Sequence, residues 1–243
     1  MRYGIISDVH SNMEALSAVL GELDSLQIDG LICLGDIVGY GPSPNECCAT
    51  LIGRNCVSIA GNHDEAAANE SGIDYFSPLA REAIEWNRAA LSREHLEYLA
   101  SLPRVRTFPT FDIVHGAPVY HFDYILDVVD AQAAFGRTDA SLTFVGHSHI
   151  AEVYYQEKSG RTFQQRLLHG GRIDISDEYR YIVNPGSVGQ PRDRNPQAAF
   201  AVIDVDEAYV DVRRVTYDVR AVQERIESAR LPSQLADRLA LGY

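Results

Sequence analysis

Three short apolar runs near the start of the chain each lead into a turn that carries aspartate, asparagine or histidine. These runs cover residues 5–6, 31–34 and 57–60 and are rich in β-branched side chains. Between the first two runs, apolar residues recur at helical spacing over residues 13–26, and Ser11 or Asn12 is a suitable N-cap. This alternation of strand and helix predicts an α/β fold that contains a β-α-β unit with parallel strands.

Helical and strand patterns continue through the rest of the chain. Helices are predicted at residues 78–91, 92–101, 219–229 and 233–241. Strands are predicted at residues 112–114, 142–145, 153–156, 163–168, 181–183, 200–205 and 209–215. The last five of these strands indicate a second, more antiparallel sheet. Because no linker, repeat or low-complexity tract separates the segments, we predict one domain over residues 1–243.

Composition and charge limit the classes of function. The chain has a net charge of −13, and an acidic chain repels nucleic acids at long range, so we expect no strong nucleic-acid binding. No stretch approaches the roughly 18 consecutive apolar residues of a membrane span, and no signal-peptide pattern follows Met1. We therefore expect a cytoplasmic protein without membrane association. Cys33, Cys47, Cys48 and Cys56 lack the spacing of a metal knuckle and are interpreted as buried thiols.

Residues able to bind metal ions follow each of the early predicted strands. In open α/β sheets, ligands bind outside the carboxyl ends of the strands, so residues that follow successive strands converge even when they are distant in sequence. A single aspartate or histidine at a strand end is more often a helix cap or a hydrogen-bonded polar group. That interpretation does not account for a whole set at consecutive strand ends. The set comprises Asp8, His10, Asp36, Asn62, His63, His115, His147 and His149.

The donor types in this set indicate the kind of ion. Oxygen and imidazole donors without thiolate favour divalent transition-metal ions such as Mn²⁺, with Fe, Zn, Ni or Co as alternatives, over an all-oxygen Mg²⁺ site. The donors suffice for two ions. A bridging aspartate would hold two ions roughly 3.5–4 Å apart, which is the separation that supports an in-line phosphoryl displacement.

The order of these motifs resembles the signature of the calcineurin-like metallophosphoesterases. The matching motifs are D-V-H at 8–10, G-D at 35–36, G-N-H-D at 61–64, His115 and G-H-S-H at 146–149. The segments S-D-V-H-S-N at 7–12 and N-P-G-S-V-G-Q-P-R at 184–192 resemble the small bacterial phosphodiesterase branch of that superfamily. The resemblance implies a four-layer α/β/β/α sandwich of two mixed sheets flanked by helices.

The resemblance also implies a role for each site residue. The ligands of the first ion would be Asp8, His10 and His149. The ligands of the second ion would be Asn62, His115 and His147. Asp36 would bridge the two ions. His63 would donate a proton or a hydrogen bond to the leaving or equatorial oxygen of the substrate, and Asp64 would orient it.

These interpretations predict a phosphoesterase in which a metal-bridging hydroxide attacks the phosphorus of a small phosphate ester. Phosphodiesters are the expected substrates, with phosphomonoesters and dinucleoside polyphosphates as variants. Loop residues near the motifs are candidate substrate contacts, namely Asn12, Tyr40, Arg192 and Arg194. The aromatic segment at residues 117–124 either walls the pocket or packs on the domain.

Two other classes of function are compatible with parts of this pattern. A scaffold that binds proteins would keep the fold but tends to lose the catalytic histidine or a ligand, and neither is missing here. A nuclease would share the metal site but needs a basic track for the nucleic-acid backbone, which the sequence lacks.

Overall fold

The computed structural model describes residues 1–243 and contains both helices and strands along the whole chain. The eight α-helices are α1 Met13–Ser25, α2 Pro44–Gly53, α3 Asn62–Asn69, α4 Pro78–Ala90, α5 Arg93–Ser101, α6 Val128–Phe135, α7 Val219–Ser228 and α8 Ser233–Asp237. Two 3₁₀ turns cover Ile73–Tyr75 and Arg238–Ala240. No helix combines the length and the apolar character needed to cross a bilayer.

Twelve strands form two six-stranded sheets. The strands are β1 Arg2–Ile6, β2 Gly30–Cys33, β3 Val57–Ser58, β4 Val105–Thr107, β5 Asp112–Val114, β6 Leu142–Phe144, β7 Ala151–Glu157, β8 Thr162–Arg166, β9 Gly171–Asp174, β10 Tyr179–Pro185, β11 Ala198–Asp204 and β12 Tyr209–Val215. The order is β3-β2-β1-β11-β12-β9 in the first sheet and β4-β5-β6-β10-β7-β8 in the second. Both sheets are mixed, because each has a parallel part (β1–β3, or β5, β6 and β10) that continues into antiparallel strands.

The later strands do not form a sheet of their own, so that prediction was wrong. Strands β7 and β8 join β10 in the second sheet, whereas β11 pairs antiparallel with β1 and carries β12 and β9 into the first sheet. The physical reason is that β2 covers only one side of β1. The other side of β1 presents unpaired backbone groups, and β11 satisfies them.

Apolar side chains fill three spaces between four layers. The two sheets pack face to face through a cluster that includes Ile5, Ile32 and Phe144. Ile6 and Cys33, the next residues along β1 and β2, point to the opposite face and pack against α1, as the period of a strand requires. Helix α6 covers the second sheet through Phe135 and its neighbours. The predicted four-layer α/β/β/α sandwich is therefore confirmed.

Most predicted helices and strands lie within a few residues of the observed ones, but some elements were missed. The N-cap of α1 is Asn12, whose side chain accepts a 3.0 Å hydrogen bond from the backbone N–H of Ala15. The sequence did not predict α2, α3, α6, β4 or β9. Helix α3 lacks an apolar stripe and begins inside the G-N-H-D motif, so periodicity could not identify it. All four cysteines are free thiols, with Cys56 the most exposed of them.

Candidate metal centre

The carboxyl ends of strands from both sheets meet at one end of the sandwich and bring the candidate ligands together. Asp8 follows β1 and Asp36 follows β2 in the first sheet, whereas His115 and His147 follow β5 and β6 in the second. The convergence predicted from the strand ends is thus present. It occurs across the interface of the two sheets.

Two groups of side chains place their ligand atoms within 4.8 Å of one another, close enough to hold a metal ion. The first group is Asp8, His10, Asp36 and His149. The second group is Asp36, His115 and His147. All members are buried, and Asp36 belongs to both groups.

Backbone carbonyls orient three of the histidines. Each Nδ1 lies at hydrogen-bond distance from a carbonyl oxygen, 3.1 Å for His10, 2.8 Å for His115 and 2.6 Å for His149. A carbonyl oxygen can only accept, so each Nδ1 carries a proton, and Nε2 is the ring nitrogen left to bind a metal ion. Histidines that bind metal ions in proteins are commonly held in this way.

Several buried polar atoms at this site have no hydrogen-bond partner within the chain. They are Asn62 Oδ1, His115 Nε2, His147 Nε2 and His63 Nδ1. Buried polar atoms nearly always have partners, and the first three belong to predicted ligands. In addition, Nε2 of His10 lies 3.1 Å from Nε2 of His149. Two lone pairs at this distance need a cation between them, so the donor set fits divalent metal ions.

The backbone at the ligands is strained. The φ angles of Asp8, His10, Asp36, His147 and His149 are 54°, 49°, 52°, 68° and 60°, in the left-handed region that few residues other than glycine adopt. Such strain persists only where surrounding contacts enforce it, and it clusters at functional sites. The backbone therefore supports the site that the side chains indicate.

The charge states of the histidines differ. Burial lowers the pKa of His147 to about 3 and that of His63 to about 4, and it holds the pKa values of His10 and His149 well below the ordinary range. Burial also disfavours the charged form of His115, but the carboxylates of Asp36 and Asp8 outweigh it and raise the pKa to about 9. Among these five histidines, His115 is therefore the one that is protonated at neutral pH in the metal-free protein.

Asp64 does not bond to His63, contrary to the expectation that it orients this ring. Its Oδ1 accepts a hydrogen bond of 3.1 Å from the backbone N–H of Val38, and its Oδ2 accepts one of 3.0 Å from that of Gly61. Both residues belong to α3, and consecutive helical residues do not face each other. Asp64 instead connects the two loops that flank His63. Its pKa is raised to about 7, mainly by burial and secondly by the negative charge of Asp36.

A cleft of about 700 Å³ opens beside the metal-binding groups. His63 and His147 lie on its wall together with the predicted contacts Tyr40 and Arg192. The other two predicted contacts do not line it. Asn12 caps α1 and donates a 2.9 Å hydrogen bond to the carbonyl of Gly189. Arg194 is exposed and lies over the ring of Tyr243.

Aromatic residues of the 117–124 segment form part of the cleft. The ring of Tyr124 stacks on His147 with 3.9 Å between centroids, and Phe122 approaches His115 edge-on at 6.2 Å. Both residues line the cleft, whereas Tyr120 points to solvent. Of the two interpretations of this segment, the structure supports the pocket wall.

The sequence missed several residues at the site. Arg104, Arg238 and Phe76 line the cleft but lie outside every motif. Asn87, in the last turn of α4, accepts hydrogen bonds from the Ser11 hydroxyl at 2.6 Å and from the Gly39 backbone N–H at 3.1 Å. It joins two of the loops that carry ligands. A buried asparagine within a helix is the one signal that could have identified Asn87.

Comparisons with known proteins agree with this geometry. Residues 1–208 match the model of the calcineurin-like phosphoesterase superfamily domain. The chain is 38% identical to the uncharacterized protein MJ0912 of Methanocaldococcus jannaschii, over 98% of this chain and 97% of that protein. It is 39% identical to the metallophosphoesterase from Sphaerobacter thermophilus, whose crystal structure superposes over 100% of both chains with a TM-score of 0.88.

A more distant structure shares the fold. The hypothetical protein PH1004 from Pyrococcus horikoshii OT3 is 23% identical, covers 100% of this chain and 98% of its own, and superposes with a TM-score of 0.81. At this identity the likeness concerns the fold alone. All three likenesses extend across the whole chain, including the segment after residue 208.

Proposed function

The chain belongs to the calcineurin-like phosphoesterase superfamily, and we propose that it is a phosphodiesterase that uses two divalent metal ions. The observation that carries this proposal is the position of Asp36. Its Oδ2 lies 3.7 Å from Nε2 of His10 in one ligand group and 3.3 Å from Nε2 of His115 in the other. An oxygen shared between two ligand groups is the arrangement that holds two metal ions close together.

The proposed ligands divide between the two ions. The first ion is held by Asp8, His10 and His149, the second by Asn62, His115 and His147, and Asp36 bridges them. Carboxylate, amide and imidazole donors without thiolate favour Mn²⁺, with Fe, Zn, Ni or Co as alternatives. When bound, the two ions lower the pKa of a water nucleophile and offset negative charge on the phosphoryl group.

His63 stabilises the transition state as a neutral hydrogen-bond donor. Burial lowers its pKa to about 4, and two cations nearby would disfavour the charged ring further, so the imidazole is neutral at pH 7. Its Nδ1 is enclosed, which leaves Nε2 as the ring nitrogen that faces the cleft. A donor aimed at an oxygen that gains charge during the reaction accelerates the reaction selectively.

Arg192 binds a phosphate group of the substrate. Its Nη2 donates to the Tyr40 hydroxyl at 3.3 Å and to Oε1 of Gln190 at 3.1 Å, so two neighbours position the guanidinium beside the cleft. Arginine presents a planar fork of donors that matches phosphate oxygens. The partner is a small phosphate ester, because the overall charge of −13 opposes the approach of a long polyanion.

Metal analysis coupled to a hydrolysis screen tests the proposal. The purified protein is stripped of metal and reloaded with Mn²⁺, and bis-p-nitrophenyl phosphate and p-nitrophenyl phosphate are offered as a diester and a monoester. We expect two ions per chain and faster hydrolysis of the diester. Absence of hydrolysis of both esters with two ions bound would favour the protein-binding scaffold. Hydrolysis confined to the monoester would contradict the diesterase assignment.

A further inference from the structure

Two arginines that line the cleft lie near the same aromatic ring and have no acidic side chain as partner. Arg192 belongs to the loop between β10 and β11, and Arg238 begins the 3₁₀ turn that follows α8. Both line the cleft, and both lie near the ring of Tyr40, with their Cζ atoms 5.7 Å and 5.9 Å from its centroid. Burial and the neighbouring charge of Arg192 lower the pKa of Arg238. Two like charges are thus held together in a partly buried position.

The other partly buried arginines all have strong partners. Those that form ion pairs with acidic side chains are Arg88, Arg213, Arg214 and Arg225. Arg180 donates to the carbonyl oxygens of Phe135, Thr138 and Ala140. At the cleft itself, Arg104 is engaged by Glu65. Among the partly buried arginines, Arg192 and Arg238 therefore differ in having neither an acidic side chain as partner nor a set of carbonyl acceptors like that of Arg180.

The partners that Arg192 and Arg238 do have leave donors free. The Nε of Arg192 is buried and has no hydrogen-bond partner. Arg238 makes a single hydrogen bond, from Nε to the backbone oxygen of Tyr243 at 2.6 Å. Both guanidinium groups therefore keep N–H donors that can bind an anion in the cleft.

The protein holds Arg238 firmly at this position. Leu235 and Leu239, which flank it, are buried in the same apolar cluster as Tyr40. The Tyr40 ring also contacts the imidazoles of His10 and His63, with 4.6 Å between centroids in each case. One aromatic side chain therefore separates the two guanidinium groups from the candidate metal centre. His63, Arg192 and Arg238 line the same cleft, so one ligand in the cleft can contact both places.

We propose that Arg192 and Arg238 form a second anion subsite, which binds a phosphate group next to the one that is hydrolysed. The preferred substrates are then esters with two or more linked phosphates. This inference rests on the proposed function, because the metal centre defines the first phosphate position. Arg238 lies beyond residues 1–208, the part of the chain that matches the superfamily domain.

Binding of phosphonates tests the subsite without turnover. Methylenediphosphonate carries two linked phosphonates that resist hydrolysis, and methylphosphonate carries one. Isothermal titration calorimetry of the Mn²⁺-loaded protein should show a preference of about 10-fold or more for the diphosphonate, the scale of a hydrogen bond to a charged group. Elemental analysis after each titration verifies that the diphosphonate has not extracted the metal.

Variants assign the preference to Arg238. R238Q should reduce the preference for the diphosphonate over methylphosphonate about 10-fold. R238K keeps the positive charge but loses the planar set of guanidinium donors, so it should reduce the preference by less. R230Q is the matched control, because Arg230 is exposed, lies in the same region and forms no ion pair, and it should keep the full preference. A preference that survives in both R238Q and R238K would overturn the proposal, and so would a wild type without any preference.

Two further outcomes separate the subsite from the proposed function. Phosphonoacetate replaces the second phosphonate by a carboxylate, and binding as tight as that of the diphosphonate would overturn the assignment to phosphate. If the protein binds the diphosphonate through Arg238 but hydrolyses no phosphate ester, the proposed function fails and the subsite stands. Hydrolysis of bis-p-nitrophenyl phosphate without an Arg238-dependent preference would contradict the subsite alone.

Discussion

The backbone N–H of His63 donates a hydrogen bond of 2.8 Å to Oδ1 of Asp36. This bond occupies one oxygen of the carboxylate and leaves Oδ2 to face His10 and His115. Asp36 would therefore bridge two metal ions through a single oxygen. The same hydrogen bond sets the position of the loop that carries His63, so the metal centre and the proposed donor to the substrate are mechanically linked.

Removal of the charge of Asp36 should empty both metal positions. Asp36→Asn keeps the size of the side chain but loses the negative charge between the two ligand groups, so we expect a loss of both ions instead of one. Elemental analysis after dialysis against metal-free buffer measures this. Asp139→Asn is the control, because Asp139 is exposed and forms no hydrogen bond or ion pair within the chain. Two ions retained by Asp36→Asn would exclude the bridging role.

Removal of the His63 imidazole should reduce turnover but not metal content. His63→Ala should lower kcat for bis-p-nitrophenyl phosphate by roughly 10²-fold or more, the range for loss of one proton or oxyanion donor. Both ions should remain, since His63 is not a proposed ligand. His169→Ala removes an exposed histidine outside the site and should leave kcat unchanged. Full activity of His63→Ala with both ions bound would refute the role.

Strand ends were sufficient to predict from the sequence most of the candidate ligands that the structure brings together. Asp8, Asp36 and His147 each follow an apolar run, and the ends of parallel strands converge whichever sheet they join. The sequence pattern does not predict which strands pair with each other. The pattern at residues 200–205 identifies β11 but does not state that it pairs with β1, because pairing depends on which edge is open after the parallel strands have assembled.

Arg238 shows the second limit of sequence-based prediction. It lies in a predicted helical segment with no motif nearby, and its proximity to Tyr40 arises only when α7 and α8 pack over the cleft. Long-range packing of this kind leaves no local pattern. Asp64 shows the opposite error, because adjacency to His63 in sequence suggested a contact that the helix geometry of α3 prevents.

A methyl group at Gly61 should disrupt the site. A Cβ at this position would overlap the carboxylate and the backbone nitrogen of Asp36. Gly61→Ala should therefore displace Asp36, lower metal occupancy and cost roughly 1–3 kcal/mol in the free energy of unfolding, as overpacking does. Urea unfolding and elemental analysis measure the two effects.

Gly21→Ala is the matched control for this substitution. Gly21 lies within α1, and nothing occupies the space that its Cβ would fill. Alanine there should stabilise the protein by roughly 0.5–1 kcal/mol, because glycine disfavours the interior of a helix. Equal effects of the two substitutions on metal occupancy would show that close packing at Gly61 is unimportant for the site.

The buried ion pair between Asp193 and Arg214 should be essential for stability. Arg214 belongs to β12, and Asp193 also accepts a 3.2 Å hydrogen bond from the backbone N–H of Ala151 in β7, so the pair connects the two sheets. Asp193→Asn leaves a buried guanidinium without its counter-charge and should cost about 3–5 kcal/mol in urea unfolding. Glu224→Gln, which breaks the exposed pair with Arg220, should cost less than about 1 kcal/mol.

Metal binding should release a proton from His115. In the metal-free protein, burial opposes the charge of His115, but Asp36 and Asp8 raise the pKa to about 9, so the ring is protonated at pH 7. A ligand must be neutral, and His10, His147 and His149 already are, because burial lowers their pKa values. We expect release of about one proton per chain at pH 7, falling towards zero as the pH rises above 9.

Calorimetric titration with Mn²⁺ in buffers of different ionisation enthalpy measures the number of protons released. His115→Asn should release about one proton fewer per chain than the wild type at pH 7. A binding enthalpy that is the same in every buffer would contradict a protonated His115 in the metal-free site.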